Sequence, residues 1–233
     1  MPRVYSLERL AGGFAVLCLA IAALLLGNPS FSNASLPVRG ITDPVIALEF
    51  ARSVMDVDYV LGDSPSQDRE VMRLKVRVGF AFIVAYTGLF VCLALLMQRA
   101  GGPGRMLAPA GFVCAGAAAA FNIAASVAVL RLLDVPLFQT TGRMINAIRS
   151  ASFASWALAA VTLGLLSVYF LRSPKLLPRS IGALFAITAV MQLIGLRDGQ
   201  FLVLAAVPAG LALIGIVVME LLGARRRRGA PPR

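Results

Sequence analysis

The sequence predicts an all-α integral membrane protein, a bundle of six transmembrane helices with an extracytoplasmic amphipathic helix between the first two spans. Hydrophobic residues make up 59% of the 233 positions and charged residues only 14%, against about 25% charged in an ordinary soluble protein. The charges lie between six apolar stretches, each near the length of about 20 residues that crosses a bilayer. Because these stretches use nearly the whole chain, residues 1–224 are expected to form a single bundle.

The six spans are assigned from the apolar runs between charged residues. The first follows a short basic leader and is longer than the apolar core of a typical signal peptide. We therefore favour an uncleaved anchor, while the small residues at 32–34 leave cleavage as the alternative. The 21 residues between Arg77 and Arg99 would rise about 32 Å as a helix, which matches the hydrocarbon thickness. The spans are expected at about residues 11–27, 78–97, 107–130, 152–171, 181–196 and 201–222.

The hydrophilic segment after the first span is expected to contain the amphipathic helix, at about residues 43–61. Asp43 suits the N-cap position and Pro44 the first helical position. Apolar residues then recur at steps of three and four, which places them on one face of a helix, with Glu49 and other polar residues opposite. This apolar stripe consists of Ile46, Phe50, Val54, Val57 and Leu61. It is expected to pack on the bundle or to lie in the membrane interface.

The charge distribution predicts the orientation. The side that holds both termini carries 12 Lys and Arg residues and two acidic residues, whereas the other side carries 10 basic and nine acidic residues. Basic residues near span ends mark the cytoplasmic side, so both termini are expected in the cytoplasm and the protein in the cell (inner) membrane. Residues 225–233 are expected to form a disordered basic tail that attracts anionic lipid. The arginines expected to contact lipid are Arg225, Arg226, Arg227 and Arg228.

The sequence offers no recognisable catalytic, cofactor-binding or metal-binding residues. It contains no histidine, and its three cysteines lie singly inside apolar stretches, a pattern unlike a disulfide framework or a metal site. Ionisable residues are missing from the middle of every span, which disfavours proton pumping and voltage sensing. An enzyme would need outer carboxylates to converge, and their spacing does not require this. Those carboxylates are Asp56, Asp58, Asp63 and Asp68.

Polar side chains inside the spans are the candidate contact or binding residues. Asn122 in the third span and Gln192 in the fifth are amides, and an amide in lipid takes a hydrogen-bond partner on another helix. They are expected to join helices or, alternatively, to line an uncharged polar cavity. The other residues of that cavity are Tyr86, Thr87, Ser126 and Thr188. At the end of the third span, Arg131 and Asp134 are expected to form an ion pair.

Residues 115–120, all alanine or glycine, allow another helix to approach the third span closely, inside the bundle or at an oligomer contact. The expected function is that of a non-enzymatic accessory or scaffold protein that acts through helix packing and its outer amphipathic helix. Its expected partners are membrane lipids and a protein, or a second copy, at the small-residue faces of the third span or at the outer helix; nucleic acid is not expected. The alternative is a small carrier or lipid-handling protein with a polar cavity around Asn122 and Gln192.

Overall fold

The structure, a computed structural model, describes residues 2–27, 31–32, 38, 40–63 and 65–228, apart from the side chains of residues 2–5, 27, 103 and 225–228. These residues form eight α-helices and one 3-10 helix, and no β-strand occurs among them. The α-helices are α1 (Pro2–Gly27), α2 (Pro44–Glu49), α3 (Val54–Leu61), α4 (Gln67–Ala100), α5 (Pro103–Leu133), α6 (Gly142–Leu171), α7 (Leu176–Gly195) and α8 (Gln200–Arg228), with the 3-10 helix at Leu137–Gln139. Residues 33 and 34 of the candidate cleavage segment and residues 229–233 of the predicted tail lie outside the described residues.

Six of these helices are long and apolar enough to cross a membrane, which confirms the prediction of an all-helical bundle with six candidate spans. They are α1, α4, α5, α6, α7 and α8. The helix α4 begins well before residue 78, the predicted start of the span, because the Ser66 hydroxyl caps it by accepting a hydrogen bond from the Arg69 amide at 3.2 Å. Acidic residues in its first turn, Asp68 and Glu70, favour the same helix start through the helix dipole.

The six long helices close into a ring in chain order. Each packs against the next, and α8 returns to pack against α1. We call the end of the ring that carries α2 and α3 the cap end, and the opposite end, where α1 begins and α8 finishes, the tail end. Short connections between antiparallel neighbours make this sequential arrangement the natural one.

Apolar side chains from all six long helices fill the middle of the ring. We call this set the central cluster; its members include Ala15, Leu93, Ala115, Leu163, Phe185 and Ala212. The rings of Phe170 and Phe185 meet edge to face, with centroids 5.8 Å apart. Because lipid is as apolar as these side chains, van der Waals packing and close helix approach stabilise such a bundle.

Glycine makes two of these close approaches possible. A Cβ atom added to Gly88 of α4 would lie 2.5 Å from the Phe14 ring of α1. A Cβ atom added to Gly215 of α8 would lie 2.8 Å from the Ile181 side chain of α7. A side chain at either position would force the facing side chain to move, so these glycines allow the close spacing of two helix pairs.

The segment predicted as one helix over residues 43–61 forms two short helices, α2 and α3. Asp43 caps α2 as predicted, accepting hydrogen bonds from the amides of Val45 and Ile46 at 2.9 and 3.0 Å. Ser53 and Asp56 form a capping box at the start of α3, and this second cap interrupts the helical path because it starts a new helix. All five residues of the predicted apolar stripe nevertheless pack into the cluster beneath the cap.

A buried guanidinium attaches this cap to the bundle. Arg69, only 2% exposed, donates from Nε to the Gly62 carbonyl at 3.2 Å and from Nη1 to three carbonyls at the end of α5. Those acceptors are Leu132, Leu133 and Val135, at 3.4, 3.3 and 2.8 Å. A cation at this position satisfies carbonyls that a helix C-terminus leaves without partners.

The expected ion pair between Arg131 and Asp134 is wrong. Asp134 instead pairs with Arg73 of α4, whose Nη1 lies 2.7 Å from its Oδ1, while Arg131 is exposed. The long N-terminal extension of α4 brings Arg73 beside the end of α5, and this neighbour could not be read from the local sequence. Asp63 reaches the same region and accepts a hydrogen bond from the Leu137 amide at 3.2 Å.

Candidate functional site

A group of polar side chains lies between α4, α5 and α6, well inside the candidate spans. The Asn122 amide nitrogen donates to the Tyr86 hydroxyl at 3.3 Å. Ser155 of α6 also neighbours the Tyr86 hydroxyl, and its own hydroxyl donates to the Ala118 carbonyl at 2.9 Å. With Thr87 beside Tyr86, and Ser152 one turn before Ser155, these residues form what we call the polar seam.

Two hydroxyls of the polar seam, Thr87 Oγ1 and Ser152 Oγ, are buried and make no hydrogen bond in the described part of the chain. Leaving a buried hydroxyl without a partner costs about 1 to 3 kcal/mol. The seam consists of neutral side chains, so its chemistry is that of hydrogen bonding between helices. Each such bond contributes about 0.6 to 1 kcal/mol in a membrane bundle.

The remaining candidate residues lie elsewhere. Thr188 is fully buried on α7, and its hydroxyl donates to the Leu184 carbonyl of the same helix at 2.8 Å. Gln192, one turn further on, is 8% exposed, and its Oε1 has no hydrogen-bond partner among the described residues. Ser126 follows Asn122 by one turn of α5, and no hydrogen bond between described residues joins Asn122 to Gln192. The structure therefore brings Tyr86, Thr87 and Asn122 together and places the two α7 residues on a helix that packs against α6 and α8.

Ser152 and Ser155 were missed by the sequence analysis. A serine in a membrane helix often bonds to its own backbone, so it gives a weaker signal than an amide. Their spacing of three residues, one turn apart on α6, places both on one side of that helix, and the Ser155 hydroxyl contacts α5.

A carboxylate of the cap is also bound to the bundle. The Trp156 indole nitrogen of α6 donates to Glu49 Oε2 at 2.8 Å. The rings of Phe50 and Phe153 next to it are in tilted contact, with centroids 4.8 Å apart. Burial raises the pKa of Glu49 to about 7; the Trp156 hydrogen bond lowers it, and the nearby Asp43 charge adds to the increase. The sequence pattern predicted Glu49 on the polar side of one continuous helix, whereas in the structure it lies at the end of α2 and contacts α6.

Three of the four outer carboxylates considered for catalysis accept hydrogen bonds with a structural role. Asp56 caps α3, and Asp63 accepts from the Leu137 amide. Asp68, 2% exposed, accepts from the amide and hydroxyl of Ser32 at 2.6 and 2.7 Å. Among the described residues, no three His, Cys, Asp or Glu side chains converge in a way that would hold a metal ion.

A cavity of about 400 Å³ lies at the tail end, and we call it the tail-end cavity. All six long helices or the turns next to them contribute to its wall. Its polar side chains are those of Glu8, Tyr169, Arg172 and Ser173, and the negative charge of Glu8 is close enough to act on the Tyr169 hydroxyl. No sequence motif predicted this cavity, because its residues come from both ends of the sequence and from two separate turns.

Two acidic residues in the sequence nevertheless pointed to the tail end. Glu8 and Glu220 are the two acidic residues on the strongly basic side of the chain, and both are partly buried. The Glu220 side chain packs over Gly12 of α1, where an added Cβ atom would lie 3.1 Å from its Cγ. The side chains of Arg225, Arg226, Arg227 and Arg228, predicted to contact lipid, lie outside the described part of the structure.

Comparisons of the chain with models of protein families, with curated proteins and with solved structures found no match. The functional proposal therefore rests on the residues themselves.

Proposed function

We propose that this chain is a non-enzymatic accessory protein of the cell (inner) membrane, which packs against a transmembrane helix of a partner protein. The observation that carries the proposal is the central cluster. Apolar side chains from six helices occupy the middle of the ring, in the position where a carrier needs a polar passage. A rigid apolar bundle is suited to support another membrane protein by surface packing.

The distribution of polar residues supports this proposal over the carrier. A carrier built on Asn122 and Gln192 requires both amides to face one cavity. Asn122 of α5 donates a hydrogen bond to Tyr86 of α4. Gln192 belongs to α7, which packs against α6 and α8. The tail-end cavity has neither amide in its wall.

The small-residue face of α5 is the proposed contact. Gly116, Ala120 and Ala124 recur at steps of four and are exposed, and a Cβ atom added to Gly116 would meet nothing within 4 Å. Small residues at this spacing allow two membrane helices to approach closely. Ala115 and Ala118 of the same run are buried inside the bundle, so one face of the run packs within the bundle and the other is open to a partner.

The charges at the two ends support the proposed orientation, with both termini cytoplasmic and the cap outside. Exposed basic residues surround the tail end and would lie at the headgroups of the cytoplasmic leaflet. They are Arg99, Arg105, Arg172, Lys175 and Arg179. We extend the same proposal to residues 225–233 as a basic cytoplasmic tail that contacts anionic lipid.

The test is purification from native membranes in a gentle detergent, with mass spectrometry of the proteins that elute with the full chain. We expect one protein, or a second copy, in stoichiometric amount. The substitution Ala120→Leu places bulk on the α5 contact and is expected to reduce its recovery at least tenfold. Ala206→Leu, the same change at an exposed position of α8, is the matched control and is expected to leave recovery unchanged. Equal recovery with both variants, or no stoichiometric partner, would contradict the proposal.

A further inference from the structure

The tail-end cavity combines an apolar wall with charges of both signs. Glu8 of α1 supplies a carboxylate, and Arg172, at the end of α6, supplies an exposed guanidinium. The hydroxyls of Tyr169 and Ser173 add hydrogen-bonding capacity. The apolar part of the wall consists of Leu96, Leu107, Val168, Phe170 and Met219.

Small residues at the turn between α4 and α5 create the space. Ala100, Gly101 and Gly104 line the cavity, and their small or missing side chains leave it open. A Cβ atom at Gly104 would lie 2.9 Å from the Met97 carbonyl oxygen, so this turn accepts only glycine there. The cavity therefore follows from the same residues that let α4 and α5 approach each other.

When the six long helices cross a bilayer, the cavity lies at the level of the lipid headgroups. Its wall is built from the first turns of α5 and α7 and from the last turns of α4 and α6. Helix ends of a membrane bundle meet the headgroup region, about 15 Å from the bilayer centre. A ligand entering here from the membrane would present a charged headgroup to the polar residues and methylene groups to the apolar wall.

We propose that the tail-end cavity binds the headgroup of a zwitterionic amino-phospholipid, with the phosphate at Arg172 and the ammonium at Glu8. Arginine pairs well with phosphate because its planar guanidinium matches two oxygens at once. A lipid with only negative charge would bring that charge towards Glu8, and a cationic amphiphile would bring its charge towards Arg172. A headgroup that carries both charges complements both residues.

The volume fits a headgroup and the start of its chains. Ligand cavities span about 300 to 1,000 Å³, and this one, at about 400 Å³, is near the lower limit. The rest of the acyl chain would remain in the bilayer beside the bundle. This site does not depend on the accessory function, since it uses the tail end and not the α5 contact.

The experiment compares retention of two lysophospholipids by the purified full chain in native mass spectrometry. Lysophosphatidylethanolamine and lysophosphatidylglycerol with identical acyl chains are offered at equal concentration. We expect the ethanolamine lipid to be retained at least tenfold better. Glu8→Gln is expected to remove this preference by lowering ethanolamine-lipid retention about tenfold, the effect of one lost charged contact. Arg172→Gln is expected to weaken both lipids.

Matched variants at the same end of the bundle provide the controls. Glu220→Gln and Arg105→Gln remove the same charges outside the cavity wall and are expected to leave retention unchanged. Leu107→Trp fills the cavity without altering charge and is expected to abolish retention of both lipids. Free phosphoethanolamine distinguishes the two sources of this headgroup, and we expect it to displace the lipid poorly because it lacks the methylene groups.

Three results would overturn the proposal. The first is equal retention of the two lipids by the unaltered chain. The second is the same loss in the control variants as in Glu8→Gln and Arg172→Gln. The third is full displacement by free phosphoethanolamine, which would assign the cavity to a soluble metabolite rather than to a lipid.

Discussion

The contact between Glu49 and Trp156 makes the attachment of the cap dependent on pH. Burial beneath the cap raises the pKa of Glu49 from 4.5 to about 7. One pKa unit corresponds to about 1.4 kcal/mol, so this shift corresponds to a difference of about 3 kcal/mol in stability. Because the folded state binds this proton more tightly than the unfolded state, the contribution of Glu49 to stability is largest below pH 4.5, falls as pH rises towards 7, and is constant above that value.

Trp156 makes this prediction measurable, since it is the only tryptophan of the chain. Its fluorescence reports the charge of the carboxylate to which it donates a hydrogen bond. The chain contains no histidine, the side chain that ordinarily titrates near neutral pH. A pH titration of the purified protein is expected to show a fluorescence transition near pH 7 and a thermal midpoint that decreases between pH 5 and 7.

Two variants separate the contributions. Glu49→Gln is expected to abolish both pH effects. Trp156→Phe, followed by thermal unfolding, is expected to move the transition to higher pH, because the indole N–H stabilises the carboxylate. Asp134→Asn changes a carboxylate that pairs with Arg73 on the surface, and it should leave the transition in place. A transition that persists in Glu49→Gln, or none between pH 6 and 8 in the unaltered chain, would refute the reasoning.

Three further substitutions test the packing by thermal unfolding in detergent. Arg69→Met leaves four carbonyls, two of them on buried residues, without their donor and is expected to cost about 3 kcal/mol. Arg73→Gln breaks a partly exposed ion pair and should cost less than about 1 kcal/mol, so equal losses would contradict the difference. Tyr86→Phe removes the partner of Asn122 and should cost about 0.6 to 1 kcal/mol, so a loss above about 2 kcal/mol would show a larger role. Gly88→Val is expected to destabilise the protein, because the added side chain would contact the Phe14 ring. Adding Phe14→Ala in a double variant is expected to relieve that contact. If the losses of the two single variants simply add, the contact is excluded as the cause.

The fold class could be read from the sequence because the hydrophobic pattern allows few alternatives. Six apolar stretches separated by charges specify six helices regardless of how they pack. The Asp43 cap and the apolar stripe from Ile46 to Leu61 were also readable, since both depend on local spacing. The interruption at Ser53 was missed because the pattern of apolar residues continues across it, and only the competing capping box with Asp56 marks a new helix.

The candidate sites were less predictable because they depend on which helices are neighbours. The sequence singled out Asn122 and Tyr86, which the structure joins, but it offered no reason to add Ser155 from α6. Asp134 was assigned to Arg131 by spacing, whereas Arg73 reaches it from α4. The tail-end cavity draws on all six helices and could not be assembled until their order around the ring was known.

The most direct test of the account is whether water reaches the central cluster. Ala212 is fully buried there, and Ala212→Cys is examined in a chain whose native cysteines, Cys18, Cys92 and Cys114, are replaced by alanine. A membrane-impermeant maleimide is applied to vesicles of both orientations, with Arg52→Cys on the exposed cap as the positive control. The account predicts labelling of Arg52→Cys and none of Ala212→Cys from either side. Labelling of Ala212→Cys at a rate near that of the control would reveal an aqueous passage and contradict the accessory function in favour of a carrier.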